Sequence, residues 1–264
     1  MKPKLLFFDI DGTLLTEDTH IIPKSTIKAL KDAQKKGHFI FINTGRPFVS
    51  VDNFIKDLNV DGYICGCGTY IMYKDKVLLN KKLGQLLCKE IVTKLREYNI
   101  DAVLEGHDEL YYDKDEYIRS QYLLNLKKRH KETNLYQGKD FDDENLNFDK
   151  LTIFGDELSN FSDFIDQFKN VFEFINRGKN FYELVPLGYS KASGIKFIEN
   201  YLNISHDDTY AFGDSTNDLS MLKYVRNSVA MGNSSKELLN QVSFITKDIN
   251  DNGIEYALKH FNII

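Results

Sequence analysis

Leu5-Leu6-Phe7-Phe8 runs without a polar interruption straight into Asp9-Ile10-Asp11-Gly12-Thr13. A strand with one wet face alternates apolar and polar side chains, whereas an unbroken apolar run suits a parallel strand covered on both faces. Ligands of open α/β sheets gather where such strands end. Residues two apart on extended chain face the same way, so Asp9 and Asp11 can address one ligand while Gly12 turns the backbone tightly around it. A turn of no functional consequence has the same composition, because Asp and Gly are ordinary turn residues. The rest of the chain has to decide.

Up to about residue 65 strands and helices alternate, as in a parallel sheet. Strand 4–10 precedes a helix over 24–36, which starts after Pro23 and stops at Gly37. A second buried strand, 38–43, runs into Thr44-Gly45-Arg46-Pro47, whose proline suits the first turn of another helix. Residues 62–65 make a third strand, and Tyr70–Asn80 a hairpin turning at Lys74-Asp75.

The pattern then changes to helix 83–98, strands 101–105 and 109–113, helix 115–128, strand 150–155, helix 158–169 and strands 171–176 and 181–186. Helix-strand-strand thus occurs twice, which favours an α+β module with a largely antiparallel sheet and helices on one face. The stretch from Asp140 to Asp149 reads as a loop within it. After Pro186-Leu187-Gly188 the first pattern resumes: helix 190–201, strand 209–213, a helix from about 216, strand 228–231, helix 234–240, strand 243–246 and helix 253–261. The simplest account is a host domain over 1–80 and 188–264 with a second domain, 81–187, inserted in it.

Acids at a strand end return after the insertion. Thr209-Tyr210-Ala211-Phe212-Gly213 leads into Asp214, with Asn217 and Asp218 close behind. Either acid alone could cap the following helix. Four acids at two core strand ends suit a hard cation better, and Asp9 and Asp214 can supply oxygen ligands to Mg²⁺. Lys191, in Ser190-Lys191-Ala192-Ser193-Gly194, is placed at a helix start, where a cation opposes the helix dipole and a nearby anion offsets that cost. The carboxylates of Asp9 and Asp214 with a phosphate dianion amount to −4, and Mg²⁺ with Lys191 brings the sum to −1. Thr44-Gly45 offers a hydroxyl and a backbone amide at a helix start, a cradle for phosphate oxygen. All these residues fall near the same edge of the inferred sheet.

Composition bounds the partners. With 34 Lys and Arg against 39 Asp and Glu, the formal charge of −5 argues against nucleic acid. No apolar stretch approaches a membrane span, and Met1-Lys2-Pro3-Lys4 enters a strand too short for a signal peptide, so no membrane association and a cytoplasmic location are expected. Cys65, Cys67 and Cys88 make neither a disulfide framework nor a zinc site and are read as reduced thiols. The six histidines are scattered, without metal-ligand spacing. A monomer is the simpler expectation.

Asp9-x-Asp11-Gly12-Thr13, Thr44-Gly45-Arg46-Pro47, Lys191 and Gly213-Asp214-x-x-Asn217-Asp218 resemble the four ordered motifs of the haloacid dehalogenase-like phosphatases. The inserted segment resembles the type IIB cap of their Cof-type subfamily. The likeness extends to Ala230-Met231-Gly232-Asn233, Thr246 and Asp251-Asn252-Gly253. Two departures stand out: Cys67-Gly68-Thr69 replaces the usual Asn-Gly-Ala, and Asn252 stands where a second Asp is usual.

The resemblance implies an α/β, Rossmann-like core with a mainly parallel sheet flanked by helices, and an α+β cap with αββ repeats that acts as a lid selecting the substrate. It implies that Asp9 attacks phosphorus to give an aspartyl-phosphate, and that Asp11 protonates the leaving alcohol and then activates water. Mg²⁺ would be held by Asp9, the Asp11 main-chain carbonyl and Asp214, with Asp218 orienting Lys191 or metal-bound water. Lys191, Thr44, Asn217 and the segments at Ile10, Gly12, Gly45 and Arg46 would bind the phosphoryl group. The implied partners are small phosphorylated metabolites such as sugar phosphates, pyridoxal phosphate or flavin mononucleotide. A phosphotransferase or mutase would use the same intermediate, and a phosphometabolite sensor or receiver-like switch the same residue types. Within the cap, Arg119, Arg177, Lys179 and Tyr182 could reach a ligand, yet such side chains are usually solvated or structural, and no contact is assigned to them.

Overall fold

The computed structural model describes residues 2–264; Met1, the first residue of the segment weighed above as a leader, lies outside the described residues. The chain divides into two units. Residues up to Gly45, Asp52–Leu78 and Tyr189–Ile264 form the first, and Arg46–Val51 with Leu79–Gly188 the second.

In chain order the first stretch is β1 (Leu5–Phe8), α1 (Lys24–Lys35), β2 (Phe39–Asn43), α2 (Asn53–Lys56), β3 (Gly62–Cys65), β4 (Tyr70–Tyr73) and β5 (Lys76–Asn80). Next come α3 (Gln85–Glu97), β6 (Asp101–Glu105), β7 (Leu110–Tyr112), α4 (Gln121–Glu132), β8 (Lys150–Phe154), α5 (Phe161–Phe168), β9 (Phe172–Gly178) and β10 (Phe181–Pro186). The last stretch holds α6 (Lys191–Leu202), β11 (Thr209–Gly213), α7 (Leu219–Tyr224), β12 (Asn227–Ala230), α8 (Lys236–Leu239), β13 (Phe244–Ile245) and α9 (Gly253–His260).

One sheet has the order β13-β12-β11-β1-β2-β3-β4-β5, parallel from β13 through β3, with β4 antiparallel to β3. From β1 the chain builds outward on one side through β2 and β3, and after the insertion it returns on the other side at β11. The strand order therefore reverses at β1, the position at which open α/β sheets bind ligands. All four β1 side chains are fully buried. Phe7 stacks on Phe41 with ring centroids 5.3 Å apart and Phe8 on Phe212 at 4.4 Å, so consecutive residues pack on opposite faces and against different neighbours. Truncating either ring to Ala would cost about 3–5 kcal/mol. At the β4–β5 turn Lys74 and Asp75 both take positive φ, 44° and 62°, as a two-residue hairpin of matching twist requires.

The second unit's sheet, β7-β6-β8-β10-β9, is antiparallel at β7–β6, β6–β8, β8–β10 and β10–β9. Its helices do not share one face. From α3 and α5, Ile91, Leu95, Phe164 and Phe168 pack with Ala102, Leu104, Leu151 and Ile153, whereas Leu123 of α4 packs with Val103, Leu110 and Tyr112. Val103 lies between Ala102 and Leu104 on one strand and so points to the opposite face. The helix expected over 115–128 starts only at Gln121, because the Ser120 hydroxyl caps it by accepting the Leu123 N–H. The helix expected directly after Thr44-Gly45 is also absent: Pro47 is extended, and only a tight turn at Phe48–Ser50 and the single turn of α2 follow.

Candidate active site

β1 stops at Phe8, two residues short of the expected end, and Ile10–Leu15 closes into a knot. The Ile10 carbonyl accepts N–H groups from Leu14 (2.9 Å) and Leu15 (2.8 Å), and the Gly12 N–H donates to the Leu15 carbonyl at 2.8 Å. N–H and C=O of one trans peptide point oppositely, so the Asp11 carbonyl is turned away from Leu15. Gly12 has φ +77°, and a Cβ there would lie 2.3 Å from Asp214 Oδ2, so both backbone and space require glycine.

Asp9 follows β1 and Asp214 follows β11, and the Asp9 N–H donates to the Phe212 carbonyl at 3.0 Å, which brings the two strand ends together. Lys191 is the first residue of α6. Ser190 caps that helix in a reciprocal box with Ser193, and the capped start sets the direction of the lysine. Its Nζ lies 2.6 Å from Asp9 Oδ1 and 2.6 Å from Asp218 Oδ1. The other Asp218 oxygen accepts the N–H groups of Asp214 (3.0 Å) and Ser215 (3.1 Å). Asp218 therefore braces both the ammonium and the turn that carries Asp214.

Among the described residues Asp9, Asp214 and Asp218 are all buried, and each offers an oxygen within 4.8 Å of the others'. Three carboxylates against one ammonium leave two surplus negative charges. Burial, then repulsion from Asp218, raises the Asp9 carboxyl well above the ordinary carboxylate range despite the opposing pull of Lys191. Burial and Asp218 push Asp214 up to about 7, against the Thr13 hydroxyl that donates to its Oδ1 at 2.7 Å. Burial alone would lower Lys191, but Asp218 and Asp9 raise it, so it stays an ammonium. An all-oxygen donor set of surplus negative charge fits a hard divalent cation.

The Asp11 carboxylate is not a member of this group. Thr44 is buried at the end of β2, its N–H donating to Ile64 and its carbonyl accepting from Cys67. Gly45 ends the first unit's opening segment, and Arg46 belongs with the second unit, where its guanidinium donates to the Ser50 carbonyl at 3.3 Å. Asn217 accepts a hydrogen bond from the Ser215 hydroxyl in the turn before α7.

Thr13 and Asn43 carried no assignment in the sequence, yet Asn43 Nδ2 donates to the Lys191 carbonyl at 3.0 Å. Its only sequence signal is a polar residue closing an apolar strand. Both departures from the subfamily pattern fall at left-handed backbone: Cys67 has φ 55° and Asn252 has φ 61°. Asn suits that conformation and Cys does not. The three cysteines are buried.

In the second unit three of the four polar or aromatic candidates have partners within the fold. Arg119 donates to Asp156 at 2.7 Å, Arg177 to Glu183 at 3.0 Å, and the Tyr182 ring packs 5.3 Å from that of Phe161. Lys179 is exposed. No helix among the described residues is long and apolar enough to cross a membrane.

Comparison with known proteins bears on the family of the chain. A family model described as haloacid dehalogenase-like hydrolase matches residues 6–258. Bacillus subtilis YkrA, whose name assigns it a phosphatase activity provisionally, is 31% identical over the whole of both chains. The 5-amino-6-(5-phospho-D-ribitylamino)uracil phosphatase YitU of the same organism is 26% identical over 98% of each chain. Among solved structures, the subclass IIB sugar phosphatase BT4131 superposes with a TM-score of 0.81 at 29% identity, covering 99% of this chain and 100% of that one.

Proposed function

This chain belongs to the haloacid dehalogenase-like hydrolases, and from that premise we propose that it is a magnesium-dependent phosphatase of small phosphorylated metabolites, acting through an aspartyl-phosphate on Asp9. The observation that carries this reading is the buried group of Asp9, Asp214 and Asp218 on one ammonium, at the sheet's switch point. When bound by Asp9, Asp214 and the Asp11 carbonyl, Mg²⁺ supplies positive charge that keeps the carboxylates ionised and balances the phosphoryl oxygens.

Asp9, held by Lys191, attacks phosphorus; the Asp9 oxygen–phosphorus bond forms as the bond to the alcohol oxygen breaks, and Asp11 gives that oxygen its proton. Water then attacks the same phosphorus, Asp11 takes the water's proton, and the bond to Asp9 breaks. Lys191 stabilises charge on the transferring group, with Thr44, Asn217 and the backbone near Ile10 and Gly45 as further donors. Asp218 touches no substrate and positions Lys191. Selection among esters is assigned to the inserted unit. Sugar phosphates and cofactor phosphates are the substrate classes, in keeping with relatives named for a sugar phosphatase and for a phosphoribitylamino-uracil phosphatase.

The test is a screen of phosphorylated metabolites with Mg²⁺ in ¹⁸O-labelled water. Release of phosphate carrying solvent oxygen is expected. Transfer to a second hydroxyl without solvent label would favour a phosphotransferase, and a stable phosphoprotein without release would favour a switch.

A further inference from the structure

Asn233 lies just after β12, in the Ala230-Met231-Gly232-Asn233 stretch that the chemistry above leaves without a role. Its amide is held in two directions. Nδ2 donates to the Gly12 carbonyl at 2.8 Å, and Oδ1 accepts the Ile249 N–H at 3.1 Å.

The Ile249 side of this bridge is itself braced. The Gly232 N–H donates to the Lys247 carbonyl at 3.0 Å, the Gly253 N–H to the Asp248 carbonyl at 3.1 Å, and the Thr246 hydroxyl to the Gly253 carbonyl at 2.6 Å. The two loops are in close contact: a Cβ on Gly232 would lie 2.4 Å from the Asp248 nitrogen. The turn at 231–233 and the loop at 246–253 thus form one block, and Asn233 is its side-chain link to the loop that carries the proposed nucleophile.

On the Gly12 side, two peptide planes meet at a residue without a side chain. The Asp11–Gly12 plane is fixed through the Gly12 N–H on Leu15, within the loop. The Gly12–Thr13 plane is held weakly from within the loop, the Thr13 N–H donating to the Ile10 carbonyl at 3.3 Å, and from outside it by Asn233 on the Gly12 carbonyl at 2.8 Å. Glycine has the widest choice of backbone angles, so the orientation of the Asp11 carbonyl and carboxyl depends on both restraints.

We propose that Asn233 is a positioning residue for the Asp9–Thr13 loop, holding the Gly12 peptide so that Asp11 keeps its productive orientation. Its importance for turnover rests on the phosphatase reading above; the hydrogen-bond clamp can be tested without it. Asn233 is exposed, so substitutions there spare the core. Asn233→Asp keeps an acceptor for the Ile249 N–H but sets a carboxylate oxygen against the Gly12 carbonyl, and Asn233→Ala removes both bonds.

With p-nitrophenyl phosphate and Mg²⁺, kcat is expected to fall about 10- to 100-fold in Asn233→Asp and about 10-fold in Asn233→Ala, with KM within about twofold. Amide exchange in the 10–16 segment should quicken about tenfold in both variants, with α1 unchanged. Wild-type exchange in that segment in both variants would overturn the proposal, as would a rise in KM with kcat retained. If the wild-type protein releases phosphate from no ester, the phosphatase reading falls and the exchange comparison alone decides the clamp.

Discussion

Each unit of this protein buries one lysine between two carboxylates, and the two clusters come out oppositely. In the second unit Lys150 lies 2.8 Å from Glu105 and 2.9 Å from Glu183, in the first Lys191 lies 2.6 Å from both Asp9 and Asp218. Each cluster also has a threonine hydroxyl on a carboxylate, Thr152 on Glu105 at 2.6 Å and Thr13 on Asp214 at 2.7 Å. The difference is the fourth charged member. Arg177 neutralises the second unit's cluster, and although burial would raise Glu183, Lys150 and Arg177 hold it at about 2. Asp214 instead adds a third carboxylate to the first unit's cluster, and both Asp9 and Asp214 are pushed up. A closed tally of charge serves the fold, whereas a surplus of one sign, held at a sheet's switch point, marks a place where an ion or a reacting group completes the balance.

Asp9→Asn breaks the comparison on its functional side. Turnover should fall by at least about 10⁴-fold because the amide cannot form the covalent intermediate. Thermal stability should not fall, since one surplus charge has been removed, and wild-type turnover would sink the nucleophile assignment. Lys150→Met tests the structural side. Leaving the buried Glu105 carboxylate without its cation, while Arg177 still pairs Glu183, should cost about 3–5 kcal/mol in urea unfolding, with turnover per folded molecule kept. A loss of activity without a loss of stability would give the second cluster a chemical role.

The two clusters should also respond oppositely to pH. Without divalent cations, unfolded Asp214 gives up its proton near pH 4 while the folded group keeps it to about 7, so the folded state binds the extra proton and stability falls across that window. The drop is on the order of 2–4 kcal/mol, and excess Mg²⁺ should flatten it. Glu183 has the reverse sign: it stabilises above its unfolded value, and that contribution is lost as pH falls toward about 2. A metal-free stability that rises from pH 4 to 7 would contradict the surplus in the first unit. The smallest effect separates the threonines. Thr152→Val should cost about 1.5–3 kcal/mol of stability and leave kcat alone, whereas Thr13→Val should weaken Mg²⁺ activation as well.

Much of the first cluster was legible because unbroken apolar runs located β1 and β11, and the acids after them could not be part of a buried strand. Lys191 was found by the cost of a cation at a helix start, and the structure places it at the first position of α6. The second cluster was not legible: Lys150, Glu105 and Glu183 are charges within strands, and no spacing rule separates a solvated face from a neutralised buried one. The start of α4 was misplaced because Tyr117 and Ile118 continue a helical apolar period, while the hydroxyl of Ser120 decides where the helix begins. The bonds from Asn43 to Lys191 and from Asn233 to Gly12 join residues far apart in the chain, which only the folded backbone brings together.

The central claim, that the first unit's surplus charge is a cation site for phosphoryl transfer, is tested most directly by calorimetric titration of Mg²⁺ into the wild-type protein and into Asp214→Asn at neutral pH. The account predicts one site in the wild type and its loss in the variant. No binding to the wild type, or equal binding to both, would contradict it.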